Sequence, residues 1–175
     1  MIAALDVYYT DTDATAAAVV FDRWDAEVPV ETYTVSTKDC GEYSPGQFYL
    51  RELKPLLALI SDIREKIDIF VIDGYCHLSP DNKPGLGVHL MNSLPDEPVI
   101  IGVAKNRFRD SVHAVEVLRG DSERPLFVTA IGMDYADAAS KLASMHGPYR
   151  VPTLLKEVDR LSRIPAGEES TPPTP

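Results

Sequence analysis

The sequence predicts an α/β fold: a mixed sheet, three antiparallel strands followed by parallel strands, flanked by helices. Three apolar or alternating runs with short connections come first, which favours an antiparallel meander. Nearly continuous apolar runs such as IDIFVID then alternate with helical patterns, which is typical of buried parallel strands joined by helices. Strands that pair first and are then crossed over by helices form a sheet covered on both faces.

Each element has its own signal in the chain. Apolar or alternating runs predict strands, and amphipathic spacing after a turn or a capping residue predicts helices. The predicted strands span residues 2–9, 16–24, 28–37, 67–73, 98–104, 112–119 and 125–132, and the predicted helices span a segment from Pro45-Gly46 to Ile60, then 85–92, 134–145 and 151–163. Pro55 is expected to kink the first helix. Residues 1–164 are expected to form one domain, and the acidic, Ser/Thr/Pro-rich segment 165–175 a flexible tail.

Composition limits the classes of protein to consider. The chain has 175 residues, 45% of them hydrophobic and 25% charged, which is ordinary for a soluble globular protein. No apolar run approaches the roughly 20 residues that span a membrane, and the start MIAALDVYY lacks the basic region of a signal peptide. Cys40 and Cys76 have no metal-binding spacing and fit a reducing compartment, so a cytoplasmic protein is predicted.

The net charge of −10 argues against strong non-specific binding to nucleic acid, which usually depends on a basic surface. The segment KNRFR, residues 105–109, is the one concentrated basic stretch of the sequence. An acidic metal site carries its own neutralising cations, so the overall charge does not exclude a nucleic-acid enzyme. Any binding to nucleic acid is therefore expected to be weak.

Three acids stand in structurally different contexts. Asp6 interrupts a predicted apolar strand, Glu52 lies at the start of the first predicted helix, and Asp73 ends a buried strand. An acid at the end of a buried run is unfavourable unless it is paired or binds a cation. Brought together, the three carboxylates would form an oxygen-ligand site for Mg²⁺ or Mn²⁺. The competing interpretation is a set of unrelated carboxylates at caps and strand ends.

The order of elements resembles the ribonuclease-H-like fold, in which metal-binding acids lie on the first strand, the first long helix and the fourth strand. Four segments extend the resemblance to the endonuclease V family. YSPGQFYLREL is similar to that family's tyrosine–x–proline–glycine–x4–arginine–glutamate motif, and IDIFVIDGYCH to its strand ending in aspartate–glycine. PGLGVHL and VIIGVAKNRF resemble two further family segments and follow in the family's order.

The resemblance implies metal-dependent hydrolysis of a phosphodiester near inosine, a deaminated base, in DNA or RNA, as in DNA repair. It implies that Asp6, Glu52 and Asp73 are the metal ligands, with Mg²⁺ or Mn²⁺ as the ion. Lys105 would approach the scissile phosphate or the attacking water. Two divalent ions can activate water and stabilise a leaving oxygen, and a lysine supplies compact positive charge for phosphate.

Eight further residues are candidates for binding nucleic acid. Some belong to the loop that in the family wedges beside the lesion, one lets backbone approach the extruded base, and the others are aromatic or basic residues near the site. They are Tyr43, Pro45, Gly46, Gly74, Tyr75, Arg107, Arg109 and Tyr149. An aromatic residue beside a helix start is as often part of the core as a base-stacking platform, and a charged loop is the ordinary interpretation of the basic stretch.

Two segments depart from the family pattern. Tyr75-Cys76 replaces a glycine-rich turn, and Ser79-Pro80-Asp81 stands where the family has histidine–proline–arginine. Near the end of the chain, Tyr149 or Pro148 takes the place of a family histidine. Altered specificity is therefore expected. The alternatives are a catalytically reduced module that binds nucleic acid or protein, and a nucleotide phosphotransferase, against which the lack of a glycine-rich phosphate turn argues.

Overall fold

A computed structural model of the chain describes residues 1–10, 13–38, 48–109 and 111–164. The predicted wedge residues Tyr43, Pro45 and Gly46 lie outside the described residues, as do Cys40 and the predicted tail at 165–175. None of the helices in the described ranges is long and apolar enough to cross a bilayer.

Seven strands form one mixed sheet, whose spatial order is β3-β2-β1-β4-β5-β7-β6. In chain order they are β1 (Ile2–Tyr9), β2 (Ala14–Phe21), β3 (Glu31–Thr37), β4 (Ile69–Asp73), β5 (Val99–Ala104), β6 (Val115–Val117) and β7 (Leu126–Ile131). The first three strands are antiparallel, and β4 lies parallel to both β1 and β5. The predicted mixed sheet is confirmed. The last two strands, which the polar turn RGDSER between them predicts to be a pair, do pair with each other: β7 runs antiparallel to β6 and also to β5.

In the part of the chain that the structure describes, four helices cover the two faces of the sheet. They are α1 (Phe48–Asp62), α2 (Leu86–Asn92), α3 (Tyr135–Ser144) and α4 (Thr153–Ser162). Apolar residues of α1 and α2 pack on one face with Leu5 and Ile72 of the sheet, and those of α3 and α4 pack on the other with Ala4 and Val71. Pro55 lies inside α1, which continues to Asp62.

The alternation of side chains along a strand determines which face of the sheet each acid points to. In β1, Ala3 and Leu5 face α1 and α2, whereas Ile2 and Ala4 face α3 and α4. Since successive side chains of a strand point to opposite faces, Asp6 faces α4. The same reasoning, with Val71 facing α4, directs Asp73 to that face.

Four predicted strands differ from the structure by two or more residues at an end. The third was expected at 28–37 and spans Glu31–Thr37, and the fourth was expected at 67–73 and spans Ile69–Asp73. The second was expected at 16–24 and spans Ala14–Phe21, because the turn from β1 closes within a few residues through the Thr10 N–H bond to the Asp13 carbonyl. The sixth was expected at 112–119 and keeps only Val115–Val117. A turn closed by the Ala114 N–H and the Ser111 carbonyl precedes it, and Gly120, at φ 58°, follows it.

Candidate functional site

The three acids singled out by sequence meet near the point where the parallel pairing of β1 with β4 ends. Leu5 of β1 pairs with Ile72 of β4, so Asp6 and Asp73 are the next residues on neighbouring parallel strands. Glu52 comes from α1, which covers the opposite face of the sheet. All three side chains line one cavity of about 90 Å³, whose walls also include Leu56 and Leu86. The structure therefore brings together three acids that are far apart in sequence.

A fourth acid, Asp159 of α4, joins the group from the other side. A second pocket shares Asp6 and Asp73 with the first and adds Lys105 and Asp159. Asp159 was not predicted from the sequence. The available signal was its place on the stripe Leu155, Asp159, Ser162, spaced four and three residues apart, because an acid there faces the sheet with the apolar residues of α4.

Basic and hydroxyl side chains bind three of the four acids. The Lys105 ammonium lies 3.0 Å from Asp73 Oδ2 and 3.5 Å from Asp159 Oδ1. Arg163 donates two hydrogen bonds to the Asp159 carboxylate, both 3.1 Å long. The Ser162 hydroxyl donates a 2.6 Å hydrogen bond to Asp6. Together these contacts hold the carboxylates close to one another despite their like charge.

The electrostatics reflect this crowding. Burial raises the pKa of Glu52 to about 8, assisted by the negative charges of Asp73 and Asp6. The pKa of Asp6 is also raised, first by burial and then by Asp73 and Asp159, although the Ser162 hydrogen bond opposes the change. Burial would lower the pKa of Lys105, but Asp73 and Asp159 outweigh it, so the pKa is raised. A further cation at this site would relieve the repulsion among the carboxylates.

The donor set suits a hard divalent cation. Carboxylate oxygens are the ligands that Mg²⁺ and Mn²⁺ prefer, and four carboxyl groups border the two adjoining pockets. Within the described residues, no three His, Cys, Asp or Glu side chains are arranged to hold a metal as they stand. Asp73, Asp159 and Asp6 are instead directed to Lys105, Arg163 and Ser162. The residue types fit the ion, and binding would require these carboxylates to exchange partners.

The described candidates for nucleic-acid binding divide into those that are open to a ligand and those that already contact other residues of the protein. Gly74 directly follows Asp73, has φ 141°, and a Cβ there would meet nothing within 4 Å, so the space beside its backbone is open. Arg109 is exposed. Tyr75, in contrast, is 8% exposed, and the Arg107 guanidinium binds Glu116 and lies 4.9 Å from the centroid of the Phe127 ring.

Tyr149, predicted to stand in for a family histidine, is 63% exposed and lines neither acid pocket. The Lys156 ammonium lies 3.9 Å from the centroid of its ring. The backbone around Tyr149 is held instead by Arg119, whose guanidinium donates to the carbonyls of Tyr149 and Gly147. The structure therefore places Asp159, rather than Tyr149, beside the other acids.

The segment that departs most from the family pattern forms a closed turn. The Leu78 N–H donates to the Lys83 carbonyl at 2.8 Å, and the Ser79 hydroxyl binds the Asp81 carboxylate. That hydrogen bond is the main cause that lowers the pKa of Asp81. Asp81 therefore contributes negative charge where the family pattern has a basic residue.

Comparison with known sequences gives a consistent result. The sequence model of a family described as Endonuclease V matches residues 1–142. Endonuclease V of Pyrococcus abyssi is 33% identical over 108 residues, which cover 62% of this chain and 53% of that protein. Endonuclease V of Xanthomonas axonopodis pv. citri is 32% identical over 125 residues, covering 69% and 50%. The chain thus spans about half the length of the curated relatives it matches.

Solved structures agree in fold. The crystal structure of an Endonuclease V from Streptomyces avermitilis has a TM-score of 0.74 and 25% identity, over 93% of this chain and 79% of that one. Endonuclease V of Ciona intestinalis, crystallised with a 24mer DNA containing an inosine followed by a ribo-adenosine, has a TM-score of 0.72 at 18% identity, over 93% and 84%. These similarities confirm the predicted ribonuclease-H-like fold.

Proposed function

The chain belongs to the endonuclease V family, and on that premise we propose that it is a divalent-metal-dependent endonuclease. It would hydrolyse a phosphodiester bond of DNA or RNA at deaminated, inosine-containing sites, a reaction that serves DNA repair. The observation that carries this proposal is the meeting of Asp6, Glu52 and Asp73 in one cavity, near the point where the parallel pairing of β1 with β4 ends.

The cation we propose is Mg²⁺, or alternatively Mn²⁺. Asp6, Glu52, Asp73 and Asp159 would hold it, because they supply the carboxylate oxygens that border the two adjoining pockets. Bound there, a divalent ion activates water and stabilises the leaving oxygen of a phosphodiester. The metal-free site keeps a proton on Glu52 at neutral pH, since the pKa of that carboxyl is raised to about 8.

Lys105 is the proposed contact to the scissile phosphate. Its ammonium lies among the acids and its side chain is 42% exposed, so a phosphate at the mouth of the pocket can reach it. A compact ammonium suits a phosphate oxygen as a point charge. Gly74 leaves open space beside the acids, which suits the approach of a base taken out of its stack.

Inosine is proposed as the recognised base because the Ciona relative was crystallised with inosine-containing DNA. We expect weaker discrimination than in relatives with a basic residue at this turn, because Asp81 repels phosphate. The net charge of −10 acts in the same direction and favours weak binding to nucleic acid.

A specific observation favours one alternative, a catalytically reduced module that binds nucleic acid or protein. Lys105 already neutralises Asp73 and Asp159 at 3.0 and 3.5 Å, so the group has a counter-ion of its own. In that alternative the chain binds inosine-containing strands in Mg²⁺ but does not cleave them.

We also propose residues 1–164 as the nuclease domain, since the site draws on elements near both ends of that range, β1 with Asp6 and α4 with Asp159. A cytoplasmic location remains our proposal from the cysteine pattern. Cys76 is a buried free thiol, which is compatible with a reducing compartment.

The test is cleavage of single and double strands of DNA and RNA, with and without one inosine, in Mg²⁺ and in Mn²⁺. The Asp73→Asn variant should lower kcat by about a hundredfold or more while the protein stays folded, because it loses a charged ligand worth several kcal/mol. Asp137→Asn, an exposed acid on α3, is the matched control and should cleave as the unchanged chain does. Equal rates for the two variants would contradict the assigned role, and binding without cleavage would support the alternative.

A further inference from the structure

The basic loop 105–109 leaves the end of β5 with its backbone held by side chains from elsewhere in the chain. It carries Lys105, which contacts the acids, together with Arg107 and Arg109. A loop that bears functional groups needs a defined position, because small displacements of a reacting group cost rate. The contacts that fix this loop therefore bear on the function of Lys105.

Tyr75 makes two of these contacts through one hydroxyl. The hydroxyl donates to the Asn106 carbonyl at 2.9 Å and accepts the Phe108 N–H at 3.1 Å. The Tyr75 ring also packs against the Phe108 ring, with the centroids 6.3 Å apart. The side chain is buried with Ala104 and Phe127. Its polar group is therefore engaged within the protein, and its ring has no free face for a nucleic-acid base.

Arg150 holds the same loop from the other side. Its guanidinium donates to the carbonyls of Lys105 and Pro125. Ser111 closes the far end of the loop, since its hydroxyl donates to the Phe108 carbonyl at 2.7 Å. Side chains from outside the loop thus bind the backbone of Lys105, Asn106 and Phe108.

From this geometry we propose that Tyr75 is a positioning residue for Lys105 and does not itself bind nucleic acid. It directly follows Asp73-Gly74, so one short segment carries both a site acid and the residue that fixes the loop opposite. Tyr75 also stands where the family pattern has a glycine-rich turn. The hydrogen bonds that it makes to the loop therefore occur at a position where this chain differs from the family pattern. The proposal rests on the proposed nuclease function.

The decisive variant is Tyr75→Phe, which keeps the ring and removes both hydrogen bonds. Positioning through the hydroxyl predicts that kcat falls by roughly tenfold while KM changes less, since misplaced reacting groups lose rate. A base-stacking role predicts no change, because phenylalanine stacks as well. Tyr33→Phe is the matched control: its hydroxyl likewise donates to one group, Glu65, and accepts one backbone N–H, but near the start of β4 rather than at the site.

A double-mutant cycle with Lys105→Gln separates positioning from a general loss of structure. If Tyr75 acts through Lys105, then Tyr75→Phe should have little further effect on kcat once Lys105 is replaced. The effect of Tyr33→Phe on kcat should be the same with and without Lys105→Gln. Additive effects for Tyr75→Phe, or cleavage at the rate of the unchanged chain, would overturn the proposal.

Amide exchange of Phe108 gives a readout that does not depend on catalysis. Its N–H donates to the Tyr75 hydroxyl, so Tyr75→Phe should speed its exchange by roughly 2- to 10-fold, the factor of one net hydrogen bond. Tyr33→Phe should leave that exchange unchanged. If the unchanged chain cleaves nothing, the proposed function fails, and unaltered Phe108 exchange in Tyr75→Phe would then separately refute the positioning role.

Discussion

The Ser162 hydroxyl lies 2.6 Å from Asp6 Oδ2 and joins the last helix to the acid of the first strand. The same oxygen lies 2.9 Å from the Asp159 carbonyl. A hydroxyl has one proton to donate, and the charged carboxylate is the stronger acceptor. Ser162 is 1% exposed, so water cannot readily replace this hydrogen bond if the hydroxyl is lost.

Replacing Ser162 by alanine should therefore lower the free energy of unfolding by about 1.5–3 kcal/mol, the contribution of a hydrogen bond to a charged group. Urea denaturation of the metal-free protein measures this change in the free energy of unfolding. Ser144→Ala is the matched control. The Ser144 hydroxyl also donates a hydrogen bond to a carbonyl, but on the exposed side of α3 and away from the site. Equal midpoints for the two variants would show that the Asp6 contact contributes nothing.

Stability should depend on pH through Glu52. Its pKa is raised from 4.5 to about 8 in the folded protein, so the native state holds a proton that the unfolded state releases. Stability is therefore full below the unfolded value and falls as the pH rises through about 8. Glu52→Gln should flatten the fall of Tm with pH in chelator-treated buffer, whereas Glu123→Gln, at an exposed acid, should not. A Tm of the unchanged chain that rises between pH 4.5 and about 8 would contradict the predicted loss of stability with rising pH.

The role of Asp159 can be tested by metal-induced stabilisation. A ligand that binds the native state raises Tm by mass action, so Mn²⁺ should stabilise the unchanged chain. Asp159→Asn should reduce this rise in Tm. Arg163→Gln removes the same ion pair but keeps the carboxylate, and it should retain the full rise. If both variants lose the Mn²⁺-induced rise in Tm equally, that rise depends on the ion pair between Asp159 and Arg163 rather than on the Asp159 carboxylate.

Salt dependence should distinguish the two arginines of the basic loop. Arg109 is exposed, so Arg109→Gln should lower the slope of log K against log salt by about one unit if it contacts a phosphate. Arg107 already binds Glu116 and covers the Phe127 ring, so Arg107→Gln should change the slope less. Fluorescence anisotropy with an inosine-containing strand measures both. A larger change for Arg107 would reverse the assignment.

The sheet and three of the acids could be predicted from sequence because their signals are local. Asp73 ends an apolar run and Asp6 lies within one, so both acids belong to predicted strands and become neighbours once those strands pair. Asp159 could not be placed in this way, since a helical acid reaches the site only through the docking of α4. The burial of Tyr75 depends on a loop about 30 residues away that returns over it.

The packing of α4 against β1 and β2 also has a consequence for biosynthesis. Those two strands leave the ribosome before the helix that covers their apolar residues Ala4, Ala17 and Val19. Until then one face of the hairpin is exposed to other nascent chains and to chaperones, as unfinished sheets are. The candidate site, which draws on both Asp6 and Asp159, can thus form only after the chain from β1 to α4 has been synthesised.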